Sequence, residues 1–359
     1  LLLLFLYLGF FFYRSLVVLF FPYAFPLEVP YVVMVRMLGE GGSLHELYDL
    51  NRSDIKLLCT YGPVHPLLVG FLVHFFGFSF ILGRLVSLVF CLSVGVIIFL
   101  FVWRETKDTF CSTVSTLMFF ASPWVYDWVA CFRSLEFLGI TFCFIGMYII
   151  QYYRHSKWVY TSAVFFTLGV YTKLYLVSAP FAALIYLLLE DRRLAIWIGS
   201  LFLLFSTAVF LSLNHITHGQ YYANIVAARI FMGDFEMYGA PYFYTLFIMC
   251  PVLIGLVTVF LLNGMQRERY SLFSFWFIAA LLITFYVSGY ESWFHYLIEP
   301  FGVICIISGI TLSYVRQILK AGLPLLPSSI VLVQALCLFH APFLPQKVQD
   351  HYFFSNYTP

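Results

Sequence analysis

Runs of about twenty apolar residues, separated by short polar gaps, recur along the whole chain. A helical crossing of a hydrocarbon core takes roughly 20 such residues. By that measure about eleven spans are predicted, at 1–21, 80–103, 109–123, 134–152, 158–172, 174–189, 194–213, 243–262, 271–288, 300–315 and 324–341. Five gaps are short and each holds two basic residues: Arg104/Lys107, Arg154/Lys157, Arg192/Arg193, Arg267/Arg269 and Arg316/Lys320. They fall at alternate turns of the chain. Short loops rich in Lys and Arg stay on the cytoplasmic side, so these pairs orient the protein and send the longer gaps to the opposite, outer face.

The longest gap, 22–79, has a pattern of its own. EVPYVVMVRML (28–38) predicts a short helix, with Pro30 in its first turn and Gly39, Gly41 and Gly42 ending it. After a polar stretch, Tyr61-Gly-Pro-Val-His-Pro66 opens a second apolar segment, 67–77. That segment is too short to cross a bilayer and is predicted to lie at its interface. A crossing here would also put every basic pair outside. A second outer loop, 214–242, is rich in Tyr, His and Asn, and a third, 289–299, contains GYESWFHYLIE. Loops of this kind serve either as an interfacial aromatic belt or as a surface on which sugars stack. The first span resembles a signal peptide in its Leu and Phe content. Without a charged leading region or a small-residue cleavage site it is read as an anchor. Because the chain does not begin with Met, some N-terminal sequence is expected to be missing. The fold class is therefore all-α and polytopic, a single transmembrane domain over 1–359 with two interfacial helices in the first outer loop.

Composition sharpens the class. Hydrophobic residues make up 62% of the chain, charged residues 10%, and mean hydropathy is +0.93, more apolar surface than a water-soluble core absorbs. The net charge of +2 argues against a nucleic-acid partner. Its distribution matters more. The inner connectors hold ten Lys/Arg against five Asp/Glu, and the remainder holds nine against twelve. The eight cysteines show no CxxC spacing and most sit inside spans as small apolar fillers. Cys59 and Cys131 both fall on the outer side, and nothing in their spacing pairs them.

Polar residues collect at the outer membrane boundary. Arg84, Arg133, Lys173 and Arg229 lie at or near outer ends of spans. Charges at that depth mark functional pathways or simply snorkel to headgroups. As a cluster they suit a lipid whose phosphate sits at the membrane surface. Three acids share the neighbourhood. Glu28 begins the first short helix, where a surface acid also favours the helix dipole. Glu136 follows Arg133 at i, i+3, the spacing of an ordinary helical ion pair. Asp127 lies in SPWVYDW. Carboxylates beside a phosphate site suit a general base that activates an acceptor hydroxyl. Tyr31, Tyr61, Tyr221, Tyr222, Glu291, His295 and Tyr296 are the candidate substrate-lining residues.

Five stretches, in order, carry a resemblance: EVPYVVMVRMLGEGG, YGPVHPLLVGFLVHFFGFSFILGRLVSL, SPWVYDWVACFRSLEFLG, LGVYTKLYLVSAP and FHYLIEPFGVICIISGI. Together they resemble the GT-C membrane glycosyltransferases, in the branch of protein O-mannosyltransferases and lipid A aminoarabinose transferases. The likeness runs from about 14 to 315. It implies a GT-C fold and an inverting transfer of sugar from a polyprenyl- or dolichyl-phosphate donor to a glycan, lipid or protein acceptor at the non-cytoplasmic face. It implies Glu28 as, or beside, the catalytic base, and Glu136 or Asp127 shaping the acceptor site. Arg84, Arg133, Lys173 and Arg229 would hold the donor phosphate, with His65 where relatives place phosphate-contacting groups. One position departs. Relatives carry adjacent Asp-Glu where this chain has Leu27-Glu28, so Glu28 aligns with the second acid and Leu27 with the usual Asp.

No cofactor is required by this chemistry, although some GT-C relatives use a divalent metal. Three rivals remain at this level: a transporter or flippase, a lipid-linked glycan ligase or polymerase, and a non-catalytic subunit. Sequons at 51–53 and 356–358 would matter only in a secretory compartment. Location is thus a bacterial or archaeal plasma membrane or an endoplasmic reticulum membrane.

Overall fold

A computed structural model describes residues 2–22, 28–49, 61–126, 128–129, 132, 135–227, 246–264, 271–288, 294–319 and 326–340. Among these residues every regular element is helical. The elements are α1 (Leu2–Leu19), α2 (Val29–Gly39), α3 (Leu44–Tyr48), α4 (Val64–Phe76), α5 (Phe80–Thr106), α6 (Thr109–Ala121), α7 (Pro123–Tyr126) and α8 (Leu135–Tyr152). They continue as α9 (Thr161–Val170), α10 (Ser178–Glu190), α11 (Arg192–Ile216), α12 (Gln220–Tyr222), α13 (Pro251–Gly264), α14 (Ser271–Ser288), α15 (Ile298–Leu319) and α16 (Leu326–His340). The chain is an all-α, multi-pass membrane protein. Each predicted span has an apolar helix in its place. Four segments, Phe80–Thr106, Leu135–Tyr152, Arg192–Ile216 and His295–Ile318, have by themselves the length and composition to cross a membrane. The predicted span 158–172 is a 3₁₀ turn, Lys157–Tyr160, followed by the ten-residue α9.

The bundle is layered around α15. The window His295–Ile318 is 89% buried, whereas that of Arg192–Ile216 is 17% buried, so α15 is the central helix and α11 lies at the periphery. Exposed Ile196, Trp197, Leu203, Leu204 and Leu211 on α11 are what a lipid-facing helix presents. Helix α4 is about 20 Å long at 1.5 Å per residue, short of the ~30 Å core. Its exposed Leu67, Phe71 and Phe75 recur every fourth residue and form one apolar stripe, while its other side packs on α2.

The two ends of the bundle differ in chemistry. At one end Arg316 makes two bonds to Asp108 (2.9 and 2.8 Å), Arg154 meets Glu190 (3.2 Å), and Gln151 donates to Glu105 (3.1 Å). Arg104 bonds the Tyr148 hydroxyl at 3.1 Å and lies over the rings of Tyr152 and Tyr153. Three of the basic pairs therefore contribute to one face of polar contacts; Arg267, Arg269 and Lys320 lie outside the described residues. The other end gathers the start of α2, α5, α8, α10 and α15, and the turn after α9. Buried acids collect there.

Candidate functional site

The first node forms where α1 ends and α2 begins. Glu28 occupies the N-cap position of α2 but makes no cap bond with its side chain. Its carboxylate turns inward to Arg84 on α5, which donates from Nε to Oε1 (3.1 Å) and from Nη2 to Oε2 (2.6 Å). Both side chains are fully buried. A planar guanidinium matches a carboxylate in this two-pronged way. The same guanidinium caps α1, with Nη1 donating to Val18 O (2.9 Å) and Phe21 O (2.6 Å). The Phe132 amide adds a third bond to Glu28 (2.6 Å). The node thus ties α1, α2, α5 and the segment before α8. Any phosphate at Arg84, or hydroxyl at Glu28, would have to displace one of these partners.

The second node forms at the turn between α9 and α10. Gly139 of α8 and Gly169 of α9 allow the two helices to touch, because a Cβ at either would overlap Leu176 or Cys143. This close packing sets Glu136, one turn before Gly139, against Lys173, one turn after Gly169. Lys173 Nζ bonds Glu136 Oε1 and lies 2.7 Å from His295 Nε2. His295 Nε2 is 3.4 Å from the same carboxylate oxygen. An ammonium at Lys173 requires His295 Nε2 to accept, which puts the neutral imidazole's proton on Nδ1. The rings of Tyr61 (5.3 Å), Tyr175 (5.3 Å) and Tyr296 (4.6 Å) surround Nζ. Their faces compensate part of the lost hydration of the cation. Glu136 Oε2 is buried and has no hydrogen-bond partner among the described residues.

Aromatic residues bridge the nodes. Tyr61 is delivered by Gly62, whose missing Cβ lets the chain lie directly on the Tyr171 carbonyl. Val64 N donates to that carbonyl at 3.4 Å, and Tyr48 donates from its hydroxyl to Tyr61 O at 2.8 Å. Tyr61 packs on Tyr31 (5.6 Å), which meets His65 edge-on (6.3 Å). Tyr31, Tyr61, Phe132 and Leu135 share one buried cluster. Phe132, which holds Glu28, lies four residues before Glu136, so the backbone at 132 and at 136 is separated by at most roughly 14 Å. His65 is fully buried, and neither ring nitrogen has a hydrogen-bond partner among the described residues. Burial pushes its imidazole down to about 4.

A third buried acid, Glu299, escapes the sequence reading. Ser178 Oγ lies 2.6 and 2.7 Å from its two oxygens, and Trp276 Nε1 donates to Oε1 at 3.1 Å. The available signal was an acid one helical turn after His295, at the start of a span, in the same setting as Glu136. Tyr175, two residues after Lys173, had a similar signal; Trp276, deep in an apolar run, had none.

The structure thus brings Glu28 to Arg84, and Glu136 to Lys173, His295, Tyr296 and Tyr61, with Tyr31 and His65 between. Tyr221 stands farther off, against Tyr48 (5.1 Å) and Tyr171 (6.4 Å), and Tyr222 is exposed. Asp127, Arg133, Arg229 and Glu291 lie outside the described residues, as do Leu27, Cys59 and Cys131. Among the described residues no group of three His, Cys, Asp or Glu side chains is placed to hold a metal. A small apolar cleft lies elsewhere, between α6, α13, α15 and α16, and its lining includes no residue of either charged node. No family model matches this chain, and no curated protein matches it.

Proposed function

We propose that this protein is a membrane glycosyltransferase that takes a sugar from a polyprenyl- or dolichyl-phosphate donor at the non-cytoplasmic face. The observation that carries the reading is the second node. An ammonium, a carboxylate and an imidazole from three distant parts of the chain converge in a buried, aromatic-walled site. Lys173 is the group suited to a single phosphate, which needs a point charge in a water-poor setting to leave readily. Glu136 is the preferred base, since Oε2 is uncommitted while the oxygens of Glu28 hold Arg84 and the Phe132 amide. Tyr61, Tyr175 and Tyr296 supply faces for a sugar ring. Glu28 and Arg84 serve as the brace that fixes residue 132 and hence the start of α8. The mechanism is an inverting displacement: the acceptor oxygen attacks the anomeric carbon, the phosphate departs toward Lys173, and Glu136 takes the hydroxyl proton.

The test is purified protein in liposomes with radiolabelled polyprenyl-phosphate sugars. Wild type should release or transfer label. Glu136→Gln should lower the rate by about 10²–10⁴, the usual worth of a general base, while remaining folded. Labelled lipid that crosses the bilayer with its sugar–phosphate bond intact would instead identify a flippase.

A further inference from the structure

Three carboxylates are buried at the polar end of the bundle, and they are not treated alike. Glu28 is paired with Arg84, and Glu136 with Lys173. Glu299 is fully buried and its hydrogen-bond partners, Ser178 and Trp276, are both neutral. An ionised carboxylate in a low-dielectric interior without a countercharge costs several kcal/mol, whereas a carboxylic acid does not. Donor counting points the same way. Ser178 Oγ lies 2.6 Å from one Glu299 oxygen and 2.7 Å from the other, and Oε1 already accepts from Trp276. A serine hydroxyl has one proton. With Glu299 ionised, one of the two short contacts sets lone pair against lone pair. With a proton on Oε2 both are satisfied, Ser178 donating to Oε1 and accepting from Oε2–H.

The surroundings connect this acid to the second node. Tyr175 lies within electrostatic reach of both Glu136 and Glu299, its buried hydroxyl has no hydrogen-bond partner among the described residues, and its ring packs 5.0 Å from Tyr296. Cys143 of α8 is also within electrostatic reach of Glu299. Ser178 begins α10, five residues after Lys173, and Glu299 follows His295 by four. Lys173, in the adjoining node, is bonded to Glu136.

We propose that Glu299 is a proton-binding site, carried as a neutral carboxylic acid bonded to Ser178. Loss of that proton, to water or to a base at the site, creates a second buried anion within electrostatic reach of Tyr175. The assignment goes beyond the glycosyltransferase reading and does not depend on it.

Infrared difference spectroscopy of the purified protein in detergent tests the proposal. At neutral pH, wild type minus Glu299→Gln should show one protonated-carboxyl C=O band, lost in the variant. Ser178→Ala should keep the band and move its frequency, because the hydrogen bond that positions it is gone; this second variant serves if Glu299→Gln does not fold. Raising the pH should remove the band in wild type, with a change in Trp276 emission that Trp276→Phe abolishes. A wild-type spectrum whose protonated-carboxyl region is unaltered by both substitutions would overturn the proposal.

Discussion

Lys173 is held by one carboxylate, one imidazole nitrogen and three tyrosine faces, and it is almost wholly buried. Its removal should be felt through what stays behind. Lys173→Met leaves Glu136 an uncompensated buried anion, and breaking such a pair typically costs about 3–5 kcal/mol. Adding Glu136→Gln should restore much of that loss, since the orphaned charge is gone. Thermal unfolding of the two single variants and the double variant in one detergent reads the coupling. A double variant destabilised by the sum of the two single losses would show that the two side chains are not coupled. At this scale the sequence marks Lys173 and Glu136 as unusual, because a charge in an apolar run stands out by itself. It does not show that they bind each other: helical spacing pairs Glu136 with its neighbour Arg133, whereas its partner comes from 37 residues away.

Helix ends and turns position these side chains more than helix interiors do. The Tyr61-Gly62-Pro63 turn rests on the 171–173 turn, and Gly62 is the residue that permits the approach. Gly62→Ala would push a methyl group into the Tyr171 carbonyl. Overpacking of this kind costs about 1–3 kcal/mol, and it should also withdraw Tyr61 from Lys173. The expected result is a lower melting temperature together with greater reactivity of Lys173 toward a small amine reagent. A variant with wild-type values in both would show that the turn has room. The sequence announces this turn through Gly and Pro, and it announces α2 and α4 through their length and flanking residues. That the two turns touch cannot be read there. The contact depends on how α4 packs on α2, and on how α9 packs on α8 through Gly139 and Gly169.

For the whole molecule, acid sensitivity should come from both ends of the bundle: from Asp108 at the end that carries the basic pairs and from His65 at the other. Burial raises the Asp108 carboxyl, but the Cys111 amide and Arg316 outweigh it and hold Asp108 below the ordinary carboxylate value. A carboxylate depressed in the folded state adds stability that is complete above its unfolded value, near ~3.9. That stability is lost as the pH falls through the lower folded value. His65 acts over a higher window. Its imidazole is held neutral down to about 4 while that of an unfolded chain takes up a proton near ~6.5. The folded state therefore loses ground as the pH drops from the upper value to the lower. Melting temperature measured against pH should fall in two stages, with Asp108→Asn flattening the acidic one and His65→Phe the other. A single stage unaffected by His65→Phe would show that the histidine does not contribute.

The membrane class, the positions of the apolar helices and the shared end of Arg104, Arg154 and Arg316 followed from the chain read segment by segment. Transfer of a helix into lipid is close to a sum over its own residues, so each segment's preference for lipid or water is set locally. Which acid meets which cation, that Glu28 is saturated by Arg84 while Glu136 keeps an oxygen uncommitted, and that Glu299 lies among neutral donors required the packed bundle. Those pairings join residues 23 to 122 positions apart. An ion pair forms only where two surfaces bring its members within a few ångströms, and no local free energy encodes that distance.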